Sequence, residues 1–197
     1  VRTPPPPPRS DRELGIHTHR AEQLAGLDIR SENRVHGNRY EPTPFGVLDD
    51  VLCGLGLEYA RYDFVDLGSG KGRVLAVAAT YPFRTVTGVE FSTELHLAAV
   101  TNLEQLDPRH RRCRSVRSLH GDAATFAFAA RPVVLFMFNP FTAPVLARVL
   151  TNLERTHGAG EHPVYVLYYM PVHQALLDRT PWLRPHSAAR DWVVYQG

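Results

Sequence analysis

The sequence predicts an α/β fold: a mostly parallel, seven-stranded sheet with helices on both faces and an antiparallel hairpin at its C-terminal end. Three observations carry this expectation. From Phe64 onward, short apolar runs alternate with helical ones, the pattern of a parallel sheet built from strand–helix–strand units. The glycine-rich turn Gly68-Ser69-Gly70-Lys71-Gly72 lies directly between the first of these strands and the first of these helices. The last two strands are separated only by Ala188, Ala189 and Arg190, too short for a crossover helix, so they are expected to pair antiparallel.

Taken in order, Pro4–Pro8 favours an extended polyproline conformation, because each ring fixes φ and removes a backbone donor, and residues 1–12 read as a proline-rich tail. Glu13–Arg30 reads as an amphipathic helix with Leu14, Ala21, Leu24 and Ala25 on one face, making 13–38 an N-terminal helical segment and a candidate flap. The domain proper is expected to span 39–197. After the stiff turn Tyr40–Pro44, Phe45, Val47, Leu48, Val51, Leu52 and Leu55 recur at helical spacing until Gly54 and Gly56 stop the helix. Strands follow at Phe64–Leu67, Thr85–Glu90, Val116–His120, Val133–Phe138 and Val164–Met170, interleaved with helices at Arg73–Thr80, Thr93–Leu106, Thr142–Thr156 and Pro171–Arg179. The hairpin is formed by Trp182–Ser187 and Asp191–Tyr195, and the whole arrangement is Rossmann-like.

A chain of 197 residues fits one domain, and 44% hydrophobic with 21% charged residues is the composition of a globular protein. No apolar run approaches the roughly 18 residues of a membrane span. Proline stands where an export signal would need an apolar core, so a cytoplasmic location is expected. Cys53 and Cys113 are far apart and lack a paired CxxC, which argues against a disulfide framework or a zinc site; both read as small buried hydrophobes. The net charge of +2 does not demand a polyanionic partner, and the one basic cluster is Arg109–Arg117. Lys71, in the glycine turn, is the only lysine.

The glycine turn carries the chemistry. With no Cβ at Gly68, Gly70 and Gly72, a bound cofactor can approach the backbone between strand and helix. The spacing is GxGxG; Arg73 stands where the dinucleotide fingerprint wants its third glycine, and Gly72 follows Lys71 where a phosphate-binding loop wants Ser or Thr. Nicotinamide chemistry and phosphoryl transfer are therefore disfavoured. Glu90 ends the second strand, where a carboxylate can accept hydrogen bonds from vicinal ribose hydroxyls; the competing reading is a solvated strand-end acid. Asp122 can accept the hydrogens of an adenine amino group while the Ala123 amide reaches a ring nitrogen, or it is a turn-forming Asp. Asp66 is expected to orient the glycine loop by accepting its N–H groups, or to stand near the charged end of the cofactor.

Phe138-Asn139-Pro140-Phe141 closes the fourth strand. The Asn139 side-chain carbonyl with an adjacent main-chain carbonyl can accept both hydrogens of an amine or amide and aim its lone pair; the bland alternative is a helix cap, a task Thr142 can perform. Phe141 is expected to wall the pocket. His173 reads as a candidate general base or, more simply, as a surface histidine. His17 and His19 do not make a coordination sphere, and no metal is expected.

Through DLGSGKG at 66–72, GVE at 88–90, GD at 121–122 and NPF at 139–141, the chain resembles the class I S-adenosylmethionine-dependent methyltransferases. FVDLGSGKG, GVEFS and FMFNPF are most similar to the non-SET histone lysine methyltransferases over roughly Tyr40–Asn152, with Pro140 where that family has a second Asn. The resemblance implies S-adenosylmethionine as cofactor and S-adenosylhomocysteine as product. It implies a cofactor site made by Tyr40, Thr43, Asp66, Gly68, Ser69, Gly70, Gly72, Glu90, Phe91, Asp122, Ala123 and Asn139, with Asn139, Pro140 and Phe141 at the transfer centre. Tyr40 and Thr43 would hold the methionine end.

The expected activity is methyl transfer to a nitrogen of a small molecule or protein side chain, with no membrane partner. Two alternatives stand beside it: RNA or DNA methylation, motivated by the Arg109–Arg117 run, and a non-catalytic S-adenosylmethionine-binding module. Neither the acceptor nor the oligomeric state is readable from the residues.

Overall fold

The computed structural model describes Pro8, residues 10–21 and residues 40–197. Thirteen elements of regular structure are used below. The short helix α1 (Asp11–Leu14) and α2 (Val47–Leu55) precede strand β1 (Asp63–Leu67). Then follow α3 (Arg73–Ala78), β2 (Thr85–Glu90), α4 (Thr93–Gln105), β3 (Val116–His120), β4 (Val133–Phe138), α5 (Ala143–His157), β5 (Val164–Tyr169), α6 (Gln174–Asp178), β6 (Arg184–Ala188) and β7 (Trp192–Gln196).

All seven strands join one sheet in the order β3-β2-β1-β4-β5-β7-β6. The first five are parallel, with β1 hydrogen-bonded between β2 and β4. The chain winds outward from β1 through β2 to β3, then returns to the other side of β1 as β4. That reversal leaves a crevice beyond the C-terminal ends of β1 and β4, the place where open α/β sheets bind ligands. At the other end, β7 pairs antiparallel with β5, and β6 closes the sheet as an exposed edge strand. Pro185 on that edge removes a donor that could otherwise recruit another strand.

The parallel strands are buried on both faces because helices cover both. Phe64, Val86, Val134, Phe136 and Leu167 pack toward α2, α3 and the buried N-terminal residues Leu14 and Ile16. Val65, Leu67, Val89, Leu135, Met137 and Val166 pack toward α5 and α6. The α5 helix follows a Thr142 cap position with Pro144 in its first turn, and it buries Val145, Leu146, Val149, Leu150 and Leu153 along one stripe. The Thr142 side chain makes no capping hydrogen bond. Ser92 caps α4 by accepting the Leu95 amide, and Gly56 ends α2 in the left-handed conformation.

Two expectations are corrected. The N-terminal helix is four residues long, stopped by Gly15 at φ 74°; residues 16–21 carry no helix, while 22–38 of the expected flap and most of the expected tail lie outside the described residues. Cys53 is exposed, because Leu48, Val51, Leu52 and Leu55 form the buried stripe of α2 and Cys53 falls off it; Cys113 is buried as expected. The expected ends of α3 and α6 also shorten by one to three residues in the structure. Among the described residues no helix is long and apolar enough to cross a membrane.

Gly88 in β2 is the tightest position of the covered face: a Cβ there would lie 2.5 Å from both Leu75 Cδ1 and Ser69 Oγ. Gly88→Ala is expected to lower stability by about 1–3 kcal/mol through overpacking, read as a shift of the urea midpoint; an unshifted midpoint would contradict the packing described.

Candidate functional site

The crevice is built around the turn that joins β1 to α3. Gly68 and Ser69 donate their amides to Val89 O at 2.9 and 3.1 Å, and Gly70 donates to Glu90 Oε2 at 2.8 Å, so β2 anchors the turn. Gly68 and Gly70 adopt φ of 80° and 53°. Neighbours as well as torsions require glycine there: a Cβ on Gly68 would sit 2.4 Å from Pro140 Cβ, and one on Gly70 would sit 2.3 Å from Tyr40 Cε2. Gly72 has a different task. It precedes α3 at φ 82° and packs on Ala99 of α4, outside the crevice.

Two carboxylates stand at the ends of the adjacent strands. Asp66 on β1 and Glu90 on β2 are each 3% exposed, and both lie on the face that α3 covers. Burial pushes the Asp66 carboxyl well above the usual carboxylate range, and the charge of Glu90 pushes it further. Burial also raises Glu90, opposed by amide donors of Ser92, Gly70 and Phe91 and by the neighbouring His120. Among the described residues no ion pair involves either group. Arg73 lines the same cleft but is committed to Thr18, Thr43 and Asp11. The loop amides go to Val89 and Glu90, so the expected support of the glycine loop by Asp66 passes instead to Glu90. Ser69 Oγ is buried and finds no hydrogen-bond partner among the described residues.

The cleft has two compartments. The first, polar one is lined by Tyr40, Thr43, Asp66, Ser69, Gly70, Glu90 and Phe138, among others. The second is lined by Val89, Gly121, Asp122, Ala123, Phe141 and Val145 and is largely apolar. Gly68, Phe91 and Pro140 line both, so Pro140 and Phe91 stand at the junction. Asp122 Oδ1 accepts the Ala124 amide at 2.8 Å, so it does form the turn that its alternative reading anticipated, while still lining the second compartment.

Asn139 lines neither compartment. Its position alternates with that of Phe138, and its Oδ1 accepts the Tyr168 hydroxyl at 3.2 Å on the opposite face of the sheet. The same hydroxyl accepts the His173 amide at 3.4 Å, and His173 serves as the cap position of α6. Asn139 and Met170, which end the paired strands β4 and β5, are the non-glycine residues with positive φ among those described, at 36° and 49°. Strain of this kind is commonly held at functional sites. Met170 and Val172 add exposed apolar surface nearby.

The basic run lies elsewhere. Arg109–Arg114 precede β3 and therefore occupy the N-terminal end of the strands, a strand length from the crevice, and Arg109 is paired with Asp107. Lys71 sits beside the cleft wall, its ammonium 5.3 Å from the Tyr40 ring centre. His17 and His19 flank the buried Thr18, with His19 near Asp11.

The residues did not reveal the role of Arg73 or the hydrogen bond that Tyr168 makes to Asn139. Arg73 carried a signal: a cation at the first position of a helix opposes the helix dipole and calls for a compensating anion, which Asp11 supplies. Tyr168 carried none, since its role depends on which face of β5 it occupies.

No protein-family model matches the chain, and no curated protein matches it in sequence. Solved structures do match in fold. An RNA methyltransferase from Salinibacter ruber, in complex with S-adenosyl-L-homocysteine, aligns at TM-score 0.51 and 20% identity over 79% of this chain and 92% of its own. The glycopeptide N-methyltransferase MtfA, complexed with sinefungin, aligns at 0.55 and 13% over 77% and 84%. The methyltransferase domain of bacterial CtHen1 aligns at 0.51 and 13% over 76% and 95%. At these identities the likeness establishes the fold, a Rossmann-like arrangement of which many solved examples are S-adenosylmethionine-dependent methyltransferases.

The buried carboxylates have a measurable consequence. Their folded-state values are raised, so the stability they allow is fully present below about pH 4, the ordinary carboxyl range, and is lost as pH rises through the raised values. Asp66→Asn is expected to stabilise the ligand-free protein near neutral pH by on the order of 1–2 kcal/mol and to flatten this pH dependence. Chemical denaturation across pH checks it; a destabilised variant would contradict the charge state described.

Proposed function

We propose that this chain is an S-adenosylmethionine-dependent methyltransferase that methylates a nitrogen of a small molecule or protein side chain. The observation that carries the proposal is the pair Asp66 and Glu90, two buried carboxyl groups with no ion pair among the described residues, held beside a glycine turn in a cleft with one polar and one apolar compartment. The donor set fits this cofactor. A ligand with a cationic amino acid end, a ribose and an adenine matches Asp66, Glu90 and the apolar compartment in turn. The orphaned Ser69 hydroxyl gains a partner from the same ligand.

In this reading Tyr40, Thr43 and Asp66 hold the methionine end, Glu90 receives the ribose hydroxyls, and Asp122 with the Ala123 amide receives the adenine between Phe91, Pro140 and Phe141. When bound, S-adenosylmethionine supplies a methyl group already activated on a sulfonium. The protein's remaining tasks are to orient the acceptor and exclude water. Phe138 and Tyr169, whose rings meet edge to face at 4.7 Å, wall the acceptor side. Asn139, whose side chain rests against Tyr168 outside both compartments, is the residue we assign to orient the acceptor nitrogen once it leaves that contact. The resemblance of DLGSGKG, GVEFS and FMFNPF to the non-SET lysine methyltransferases supports nitrogen as the accepting atom; it does not extend to a histone acceptor. The distance of the arginine run from the crevice weighs against nucleic acid.

Calorimetric titration with S-adenosylmethionine tests the cofactor. Binding is expected, weakened at least about tenfold by Glu90→Ala through loss of charge-assisted hydrogen bonds; a folded chain that binds nothing sinks the proposal. Once an acceptor is identified by screening, Asn139→Ala is expected to lower kcat by about 10–100-fold while leaving cofactor affinity within about twofold, as misalignment at the acceptor does. Unchanged turnover would remove Asn139 from the transfer site.

A further inference from the structure

The described N-terminal residues form a strap rather than a tail. Leu14, Ile16 and Thr18 are at most 1% exposed. Four side chains outside the strap bind it, those of Arg73, Asn102, Tyr40 and Lys71, the last donating Nζ to Arg20 O at 3.1 Å. Arg73 donates Nε to Thr18 Oγ1 at 2.7 Å and Nη1 to Thr43 O at 3.1 Å, and pairs Nη2 with Asp11 at 3.2 Å, while its guanidinium covers the Phe45 ring at 4.6 Å. Asp11 in turn accepts both the amide and the hydroxyl of Thr18. Asn102 of α4 accepts the His17 amide at 2.8 Å and donates Nδ2 to His17 O and to Lys71 O, joining the strap to the glycine turn. The Tyr40 hydroxyl donates to Thr18 O at 2.8 Å.

Apart from the Asp11–Thr18 bonds within the strap, these contacts reach residues that line the cleft or carry it. Tyr40 and Thr43 are cleft walls, and the Tyr40 ring fills the space a Cβ on Gly70 would need. Lys71 O belongs to the turn itself. Arg73 is the first residue of α3, immediately after that turn, and its charge there is unfavourable unless an anion answers it. A lysine would not serve equally in its place: the guanidinium meets Thr18, Asp11 and Thr43 through three separate nitrogens in a fixed fork, whereas an ammonium gathers its donors on one atom.

We propose that Arg73 and Asp11 are positioning residues for the cofactor, acting through the strap to hold Tyr40 and Thr43 against the glycine turn, with Asn102 fixing the turn from the other side. The inference rests on the cofactor reading given above. Neither residue needs to touch the cofactor. Asp11 acts through Thr18 on Tyr40, so its effect on binding depends on the Tyr40 hydroxyl. Linkage makes the coupling reciprocal: cofactor that favours the strapped arrangement also protects the strap.

The test is a double-substitution cycle read by calorimetric titration with S-adenosylhomocysteine on the full chain. Asp11→Asn and Tyr40→Phe are each expected to raise Kd by about tenfold, and the pair together by little more, because both break one path. Arg73→Lys, which keeps the charge but not the fork, is expected to weaken binding similarly. Hydrogen exchange gives a readout independent of affinity: the His17 and Thr18 amides of the unsubstituted chain slow on adding S-adenosylhomocysteine, and this slowing is lost in Asp11→Asn. Additive losses in the cycle, or strap amides indifferent to the ligand, would overturn the inference while leaving the cofactor site intact. An unsubstituted chain that fails to bind would overturn the cofactor reading itself, and the inference with it.

Discussion

The structure turns on two carboxyl groups buried at the ends of the adjacent strands β1 and β2, neither of them in an ion pair among the described residues. A folded domain accepts such an arrangement reluctantly, because burial penalises each charge and each charge penalises the other. Glu90 is partly relieved by amides of the glycine turn and of Ser92, while Asp66 is left to its desolvation. The arrangement makes sense as a receptor for a positive ligand, and the surrounding features follow from keeping that receptor open.

The sheet supplies the location. Because the chain reverses direction between β3 and β4, the helices that follow β1 and β4 diverge, and the ends of those strands face a crevice rather than a packed core. The glycine turn keeps its backbone close to both carboxylates, and side chains at Gly68 and Gly70 are excluded by Pro140 and Tyr40. Pro140 thereby joins the β4 end to the β1 turn and divides the polar compartment from the apolar one. A single residue of the Asn139-Pro140-Phe141 segment thus touches both compartments of the cleft.

Most of the sheet was legible in the residues, since buried parallel strands read as continuous apolar runs and the glycines, the cap at Ser92 and the short Ala188–Arg190 link mark where those runs begin and end. The site was legible where chemistry is local: the turn, Glu90, Asp122 and Phe141 all line the cleft. What failed to show was direction. Asn139 alternates to the far face of β4 and meets Tyr168, and Gly72 packs on a helix; both depend on facing, not on motif. The N-terminal segment was misread because Leu14, Ala21 and Leu24 offered a helical spacing, whereas the burial of Leu14, Ile16 and Thr18 follows the period of two that belongs to an extended chain.

Burial raises both carboxyl values, and a cation arriving beside them lowers those values again, so binding favours proton release. Titration with S-adenosylmethionine at mildly acidic pH, in two buffers of different ionisation enthalpy, counts those protons directly. Proton release is expected on binding S-adenosylmethionine and, because the ammonium and ribose that meet Asp66 and Glu90 are common to both, on binding S-adenosylhomocysteine as well. Binding without proton release from either ligand would contradict it.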